Sequence, residues 1–215
     1  MNFAIIAQQL VSGMGSSLMI FVLTLLFSMP LGLLVAFGRM SKIKPLQAVI
    51  KVFIAILRGT PLMLQLLVVN FAPYYLFRIS LPRWYRFAAI IIGFSINYAA
   101  YFAEIYRSGI ESIPKGQYEA AQVLGLNKFQ TMIRIVFPQM IRVSLPSISN
   151  ESVILIKDTA LVYAIGVIDL LESAKSQVNT MANVTPYIVA AVIYLLLNTL
   201  LTMLFHQLEK KFSFE

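Results

Sequence analysis

The chain has 215 residues, of which 59% are hydrophobic and 12% are charged, and its mean hydropathy is +0.81. This composition is too apolar for a soluble domain of that size and indicates an integral membrane protein. The net charge of +8 is spread over the loops, so we expect no nucleic-acid partner, and the absence of cysteine excludes disulfides and thiol chemistry.

The first predicted membrane span covers about residues 14–38. No charged residue occurs in residues 1–38, and residues 16–37 alone supply 22 uncharged positions, enough to cross about 30 Å of hydrocarbon. A cleaved signal peptide begins with basic residues and has a shorter apolar stretch. We therefore interpret this segment as a span that is retained.

A basic turn that ends at Pro45 follows the first span. We expect residues 46–57 to form an inclined helix at the cytoplasmic face, and a break at residues 58–61, because Pro61 removes a helical hydrogen bond. The second span is predicted at about residues 59–77. Two interpretations of the break stay open: Thr60 and neighbouring carbonyls line a polar cavity, or the chain is simply kinked.

The third predicted span, about residues 87–106, has a polar face. Asn97, Tyr101 and Glu104 are spaced by four and seven residues from the first, so they lie on one side of a helix that cannot face lipid. One turn beyond Glu104 stands Arg107, and we expect these two to form a local ion pair.

The fourth predicted span, about residues 146–168, carries Glu151 and Asp158 seven residues apart, with Lys157 next to the second. A charge at the centre of a membrane helix costs about 2.5–3.5 kcal/mol on insertion scales, so such charges face a bundle interior or water. They line either a translocation path or an internal ion-pair network that only holds helices together. The number of polar positions on separate spans favours the path.

The fifth predicted span, about residues 187–207, completes a fold of five transmembrane helices. With the amino terminus outside and the carboxyl terminus in the cytoplasm, ten basic residues are cytoplasmic and four are external, as the positive-inside rule favours. Three of the external ones are arginines in one loop. We interpret the single histidine, His206, as an interfacial residue, and we expect neither a metal site nor catalytic residues.

Residues 107–145 form the one long polar stretch, predicted to be cytoplasmic. The pattern predicts two short helices over residues 111–125 and 127–137, the second capped by Asn127 and ended by Pro138. The second helix would have one apolar face, formed by Phe129, Met132, Ile133, Val136 and Phe137. On these grounds alone, the pair either rests on lipid headgroups or binds a partner.

Within this stretch, Glu119-Ala120-Ala121, the following Gly125 and the downstream residues 135–138 (IVFP) resemble the EAA loop of bacterial ABC-importer permeases. The resemblance covers most of the chain and points to the polar amino acid branch. It extends to residues 58–62 (RGTPL) with Gln65, to 103–110 (AEIYRSGI), to 113–117 (IPKGQ) and to 157–161 (KDTAL).

The resemblance implies an all-α permease subunit in the bacterial plasma (inner) membrane, with the type I importer fold. It implies a second permease subunit, identical or similar, a pair of cytoplasmic ATPase subunits and an external solute-binding protein. ATP and Mg²⁺ would be held by the ATPase. In agreement, the chain contains no GxxxxGK[ST] phosphate loop, so we expect it to bind no cofactor and to be no enzyme.

Within this framework we expect the residues that contact the ATPase to be Glu119, Ala120, Ala121 and Gly125, with Phe129 and Met132 as apolar anchors. For the substrate we expect Thr60, Asn97 and Asp158, because an amino acid needs donors for its carboxylate and an acceptor for its ammonium group.

Another function class is a secondary amino acid transporter driven by an ion gradient, in which Glu104, Glu151 and Asp158 would be the ion sites. Such folds often contain paired repeats, and the sequence has no convincing internal repeat. An intramembrane enzyme has little support, because the Ser and Thr residues have no evident base.

Overall fold

A long first helix and eight further α-helices make up the part of the chain described by a computed structural model, residues 3–212 without the side chains of residues 3–5, 9 and 12. No strand occurs among these residues. The helices are α1 (Phe3–Arg39), α2 (Lys44–Gly59), α3 (Leu62–Phe77), α4 (Tyr85–Glu111), α5 (Lys115–Val123), α6 (Lys128–Thr131), α7 (Phe137–Asp158), α8 (Leu170–Met181) and α9 (Thr185–Phe212), with a π-helical turn at Met132–Val136 and a 3₁₀ helix at Thr159–Ile165.

Helix α4 lies at the centre of the fold and packs along α1. Phe94 and Phe102 of α4 are fully buried. Gly32 of α1 lies so close to α4 that a Cβ atom there would come within 2.7 Å of Phe102 Cβ and 3.1 Å of the Ala99 carbonyl oxygen. A glycine at this point allows the two backbones to approach, which is the usual way membrane helices gain packing energy.

Three described helices are long and apolar enough to cross a membrane: α1 from Ile6 onward, α4 and α9. The pair α2 and α3, bent by 107° at their junction, counts as a fourth if it forms one broken span. Helix α7, which carries Glu151 and Asp158, is not among them. The number of five spans, and their limits, therefore remain predictions.

The predicted break after the second helix is present. Helix α2 has Pro45 in its first turn, where the missing N–H is harmless, and it ends at Gly59. Thr60 and Pro61 are extended, and α3 begins at Leu62. The break thus leaves the last carbonyls of α2 without the intrahelical donors that a continuous helix supplies.

The helical backbone continues past Pro138, so the prediction that this proline ends a short helix is wrong. Immediately before it, the turn Met132–Val136 is π-helical, and the N–H of Phe137 donates to the carbonyl of Met132. A widened turn of this kind absorbs the lost hydrogen bond and the ring of an interior proline. The chain from Lys128 to Ile165 is consequently one helical rod.

The π turn also divides the predicted apolar face, and the prediction of a single face is wrong. Val136 is fully buried, and Met132 and Phe137 are partly buried against the core. In contrast, Phe129 is 72% exposed and Ile133 is 50% exposed. The extra residue in the turn shifts the register, so side chains before and after it no longer share one side.

Helix α8 was not predicted from the sequence. Its first residues are capped by buried Asp169, whose carboxylate accepts a hydrogen bond of 2.8 Å from the N–H of Glu172. The helix packs on α1, where a Cβ atom on Gly13 would come within 2.6 Å of the Asp169 carbonyl oxygen. The spacing of Asp169 and Glu172 is the start signal that was available in the sequence.

Candidate substrate cavity and coupling surface

Two side-chain amides form hydrogen bonds to the backbone at the break between α2 and α3. Gln65 Nε2 donates to the carbonyl of Leu57 (2.8 Å), to Thr60 Oγ1 (2.8 Å) and to the Thr60 carbonyl (3.1 Å). From α4, Asn97 Nδ2 donates to the same Leu57 carbonyl and to Gln65 Oε1, both at 3.0 Å. The break is therefore bonded to the helix that follows it and to α4.

A cavity of about 210 Å³ lies next to the break. It contains all three residues that the sequence proposed for the substrate, together with one further carboxylate and two tyrosines. Its lining is Thr60, Leu62, Asn97, Tyr98, Tyr101, Glu151, Ile154 and Asp158. Residues from α3, α4, α7 and the break thus converge on one polar space.

The hydrogen-bond donors of Thr60 and Asn97 are already engaged within the protein. The Thr60 hydroxyl donates to the Ile56 carbonyl at 2.8 Å, and both N–H groups of the Asn97 amide have acceptors. Within the described residues, the backbone N–H groups of Leu62 and Met63, at the start of α3, have no recorded acceptor. The Leu62 amide and the Tyr101 hydroxyl, rather than the side chains of Thr60 and Asn97, are thus the donors in the cavity lining that have no partner among the described residues.

Asp158 is held by a tyrosine, not by a lysine. The Tyr98 hydroxyl donates to Asp158 Oδ2 at 2.8 Å. Lys157 is exposed, and within the described residues no salt bridge joins it to Glu151 or Asp158. The ion-pair network that the sequence left open as an alternative is thus absent from this part of the chain.

A second cavity, of about 480 Å³, shares Tyr101 and Glu151 with the first. Sequence reasoning missed one of its residues, Arg58, whose guanidinium carbon lies 5.0 Å from the centre of the Tyr101 ring, within the range of a cation–π contact. The other lining groups include Glu104, Arg107 and four serines: Ser108, Ser112, Ser144 and Ser147. Polar groups therefore continue from Asp158 to the end of α4.

The predicted ion pair at the end of α4 is confirmed. Arg107 donates to Glu104 Oε2 through Nε (3.0 Å) and Nη2 (2.7 Å), and it also pairs with Glu111. Arg39, the last residue of α1, lies 3.7 Å from the other Glu104 oxygen. The ion pair between Arg39 and Glu104 joins the end of α1 to α4.

The loop that resembles the EAA motif is closed by Gly125. Helix α5 ends in a pair of hydrogen bonds, from Leu126 N–H to the Ala121 carbonyl and from Gly125 N–H to the Gln122 carbonyl, both 3.0 Å. This Schellman arrangement requires a left-handed residue, and Gly125 has φ of +75°. Asn127 then caps α6 in a reciprocal capping box with Gln130. The predicted cap is confirmed.

We define the coupling tip as residues 119–129, and its outer surface contains three large apolar side chains. Val123 is 87% exposed, Leu124 is 76% exposed and Phe129 is 72% exposed; the first two were missed from the sequence, although they directly precede the glycine. Glu119 and Ala120 are also exposed. Of the predicted contact residues, Ala121 is only 2% exposed and Met132, just beyond the tip, is partly buried, so both face the protein.

A groove of about 650 Å³ lies behind the tip, between α5 and the start of the helical rod. Burial raises the pKa of the Tyr118 phenol in its wall above the ordinary value, so this side chain stays neutral at physiological pH. The wall is formed by Tyr118, Gln122, Leu126, Asn127, Lys128, Thr131 and Met132.

Residues 28–214 match the profile of a family described as the inner membrane component of binding-protein-dependent transport systems. The chain belongs to this family. It is 38% identical over 192 residues to the L-cystine transport system permease protein TcyB of Bacillus subtilis (strain 168), covering 88% of this chain and 80% of that protein. It is 37% identical over 191 residues to the putative glutamine transport system permease protein GlnP of Rickettsia bellii (strain RML369-C), covering 88% and 86%.

Among solved structures, the chain is similar to a crystal structure of an amino acid ABC transporter with histidines. The TM-score is 0.87 and the identity 32%, over 98% of this chain and 99% of the other. The family and the fold identify a multi-pass inner-membrane permease of an ABC importer, which works with a binding protein, ATPase subunits and a permease partner. ATP hydrolysis takes place on the partner subunits.

Proposed function

We propose that this permease moves a polar amino acid into the cell through the cavity beside the α2–α3 break, by alternating access driven by its ATPase partners. The observation that carries the proposal is the convergence of Thr60, Asn97 and Asp158 on one cavity. Relatives named for L-cystine and glutamine, and a solved transporter described with histidines, support a polar amino acid as the substrate.

Asp158 binds the ammonium group or a cationic side chain of the substrate. The Tyr98 hydroxyl donates to Oδ2 at 2.8 Å, and no described residue donates to Oδ1, so this oxygen would accept from the substrate. A carboxylate that pairs with a cation away from bulk water gains a stronger hydrogen bond than a neutral acceptor does. Glu151, in the same wall, adds a second negative charge.

The carboxylate of the substrate binds at the other side of the cavity, near Leu62. The N–H groups of Leu62 and Met63 are unpaired in the described residues, and they stand at the positive end of the α3 helix dipole. Thr60 and Asn97 shape this side. Asn97 offers the carboxylate no donor, since both of its N–H groups are already bonded.

The cytoplasmic ATPase binds the coupling tip. Val123, Leu124 and Phe129 provide the apolar contact, flanked by Glu119 and Ala120. Ala121 and Met132 support the tip from inside, and Gly125 provides its turn. Contact at Phe129 acts directly on the rod that runs from Lys128 to Ile165 and carries Asp158. Closure of the ATPase pair would therefore tilt the helix that holds a substrate residue.

In the membrane, we propose that the amino terminus lies outside and the carboxyl terminus in the cytoplasm, and that two permease subunits, identical or similar, face one another. This places the coupling tip and the cavity of about 480 Å³ at the cytoplasmic side. It places α8, packed against the beginning of α1, at the side of the solute-binding protein.

The test is purification of the chain with its native partners, followed by reconstitution into proteoliposomes. Uptake of labelled L-histidine, L-glutamine and L-cystine is measured with ATP supplied on the side of the ATPase, with and without the binding protein. We expect at least one of the three to accumulate only when both ATP and the binding protein are present. The proposal would be contradicted if no ATPase subunit co-purified with the chain, or if no amino acid in a wider panel were taken up.

A further inference from the structure

We infer that Gln65 is a positioning residue of transport: it sets the shape of the α2–α3 break and thereby places Thr60 and Asn97 at the cavity. The inference rests on the proposed function, since it takes this cavity as the substrate path. Gln65 does not line the cavity itself. It touches two residues that do, through Thr60 Oγ1 and through Asn97 Nδ2.

The break creates acceptors that nothing else in the backbone satisfies. Helix α2 ends at Gly59, Pro61 has no N–H, and α3 starts only at Leu62. The carbonyls of Leu57 and Thr60 are left open as a result. That of Leu57 is part-buried, where an unpaired carbonyl is costly. Within the described residues, the recorded donors to these two oxygens are the side-chain amides of Gln65 and Asn97.

The chemistry requires an amide of this length. The NH₂ group of Gln65 lies within 2.8–3.1 Å of three acceptors, so that two of them share one of its two hydrogens, while its oxygen accepts from Asn97 at 3.0 Å. A glutamate of the same size would keep the acceptor for Asn97 but would turn a negatively charged oxygen toward two carbonyls. A leucine would fill the space with neither donor nor acceptor. Both changes leave Asp158 and its bond to Tyr98 intact.

The test compares Gln65→Glu and Gln65→Leu in the complete transporter, reconstituted in proteoliposomes. The readout is the KM of ATP-driven uptake of whichever labelled amino acid the wild type transports, relative to wild type at the same pH. At about pH 8 we expect both variants to raise KM at least tenfold. Because a positioning residue acts on substrate binding, we expect kcat of both variants to stay within about threefold of wild type.

The matched control is Gln47→Glu. Gln47 also lies on this helix pair and also donates to a backbone carbonyl, that of Arg39 at 3.3 Å, but it does not line the cavity. We expect a KM and a kcat like those of wild type at about pH 8. Assembly of each variant with the ATPase is measured by co-purification.

Three results would overturn the inference: a KM for Gln65→Leu equal to that of wild type, the same for Gln65→Glu at about pH 8, or a loss of kcat in both variants with KM unchanged. The leucine variant keeps the test decisive if the glutamate variant does not assemble. Failure of the proposed function gives a different result, because the wild-type complex then transports no amino acid at all.

Discussion

The cavity beside the α2–α3 break and the coupling tip use opposite surface chemistry. In the cavity wall, the polar groups of Thr60 and Asn97 are bonded to the protein, so that the shape is set before any ligand arrives. At the tip, Val123, Leu124 and Phe129 expose most of their apolar surface to the surroundings.

This difference separates binding of a small molecule from binding of a protein. A prearranged polar site loses little entropy when a small substrate enters, whereas clustered exposed apolar side chains mark a surface that another protein covers. The rod from Lys128 to Ile165 is the physical connection between the two regions. Variants in one region should therefore change affinity for substrate, and variants in the other should change assembly with the ATPase.

The largest effect is expected for Asp158→Asn. Loss of the negative charge removes a charge-assisted hydrogen bond worth about 1.5–3 kcal/mol, a factor of about 10–150 in the KM of uptake. The control is Asp169→Asn: Asp169 is a buried carboxylate that caps α8, and asparagine caps a helix as well as aspartate does. Normal uptake with normal KM in the Asp158 variant would remove this residue from the substrate site.

The next effect is expected at the tip, for Leu124→Glu. A charge on a side chain that is 76% exposed here leaves the fold intact but would be buried against the ATPase. We expect the free energy of association with the ATPase to become less favourable by at least about 2 kcal/mol, as for a central interface residue. This corresponds to roughly 30-fold weaker association. Gln117→Glu adds the same charge to an exposed position of α5, outside the tip, and should retain the ATPase. Equal co-purification of both variants would show that the tip is not the contact.

A smaller effect is expected for Gly125→Ala, because alanine in the left-handed region costs about 1–2 kcal/mol. The loss of ATPase association should be about fivefold or more, and Gly125→Asn should be milder because asparagine tolerates this conformation. Gly116→Ala is the control: this glycine lies in α5 with open space around its Cβ position, where alanine favours the helix. Similar association for both alanine variants would exclude a role for the turn.

The smallest effect is expected for Asn127→Ala, which removes the cap of α6 while the cavity stays unchanged. Loss of such a cap typically costs about 1 kcal/mol, and the exchange of the amide hydrogens of residues 128–131 should become about fivefold faster. Asn127→Asp keeps the cap and should behave like wild type. Unchanged exchange in the alanine variant would mean that the capping box does not stabilise the start of the rod.

Much of the fold followed from the sequence where one local rule decides the outcome. Pro61 breaks a helix because it has no N–H, Asn127 caps one because its side chain accepts, and Glu104 and Arg107 meet because they are one turn apart. Pro138 shows the limit of such a rule, because a π turn just before it lets the helix continue. That turn depends on the packing of Val136 and Met132 against the core and not on the proline.

The site was predictable by residue type but not by hydrogen bonding. Thr60, Asn97 and Asp158 were found because polar groups on membrane helices must avoid lipid. The sequence does not show that Gln65 takes up the open carbonyls, or that Thr60 and Asn97 have no free donor left, because both facts depend on which backbone groups the break leaves unpaired. In the same way, the inward position of Ala121 depends on how α5 docks.

The most direct test of the account is the energy source of uptake. Labelled amino acid is followed in proteoliposomes that contain either this chain alone or the chain with its permease partner, ATPase and binding protein, with ATP or with an ion gradient. The account predicts accumulation only in the complete assembly with ATP, and its loss with Leu124→Glu. Accumulation by this chain alone, driven by a gradient without ATP, would contradict it.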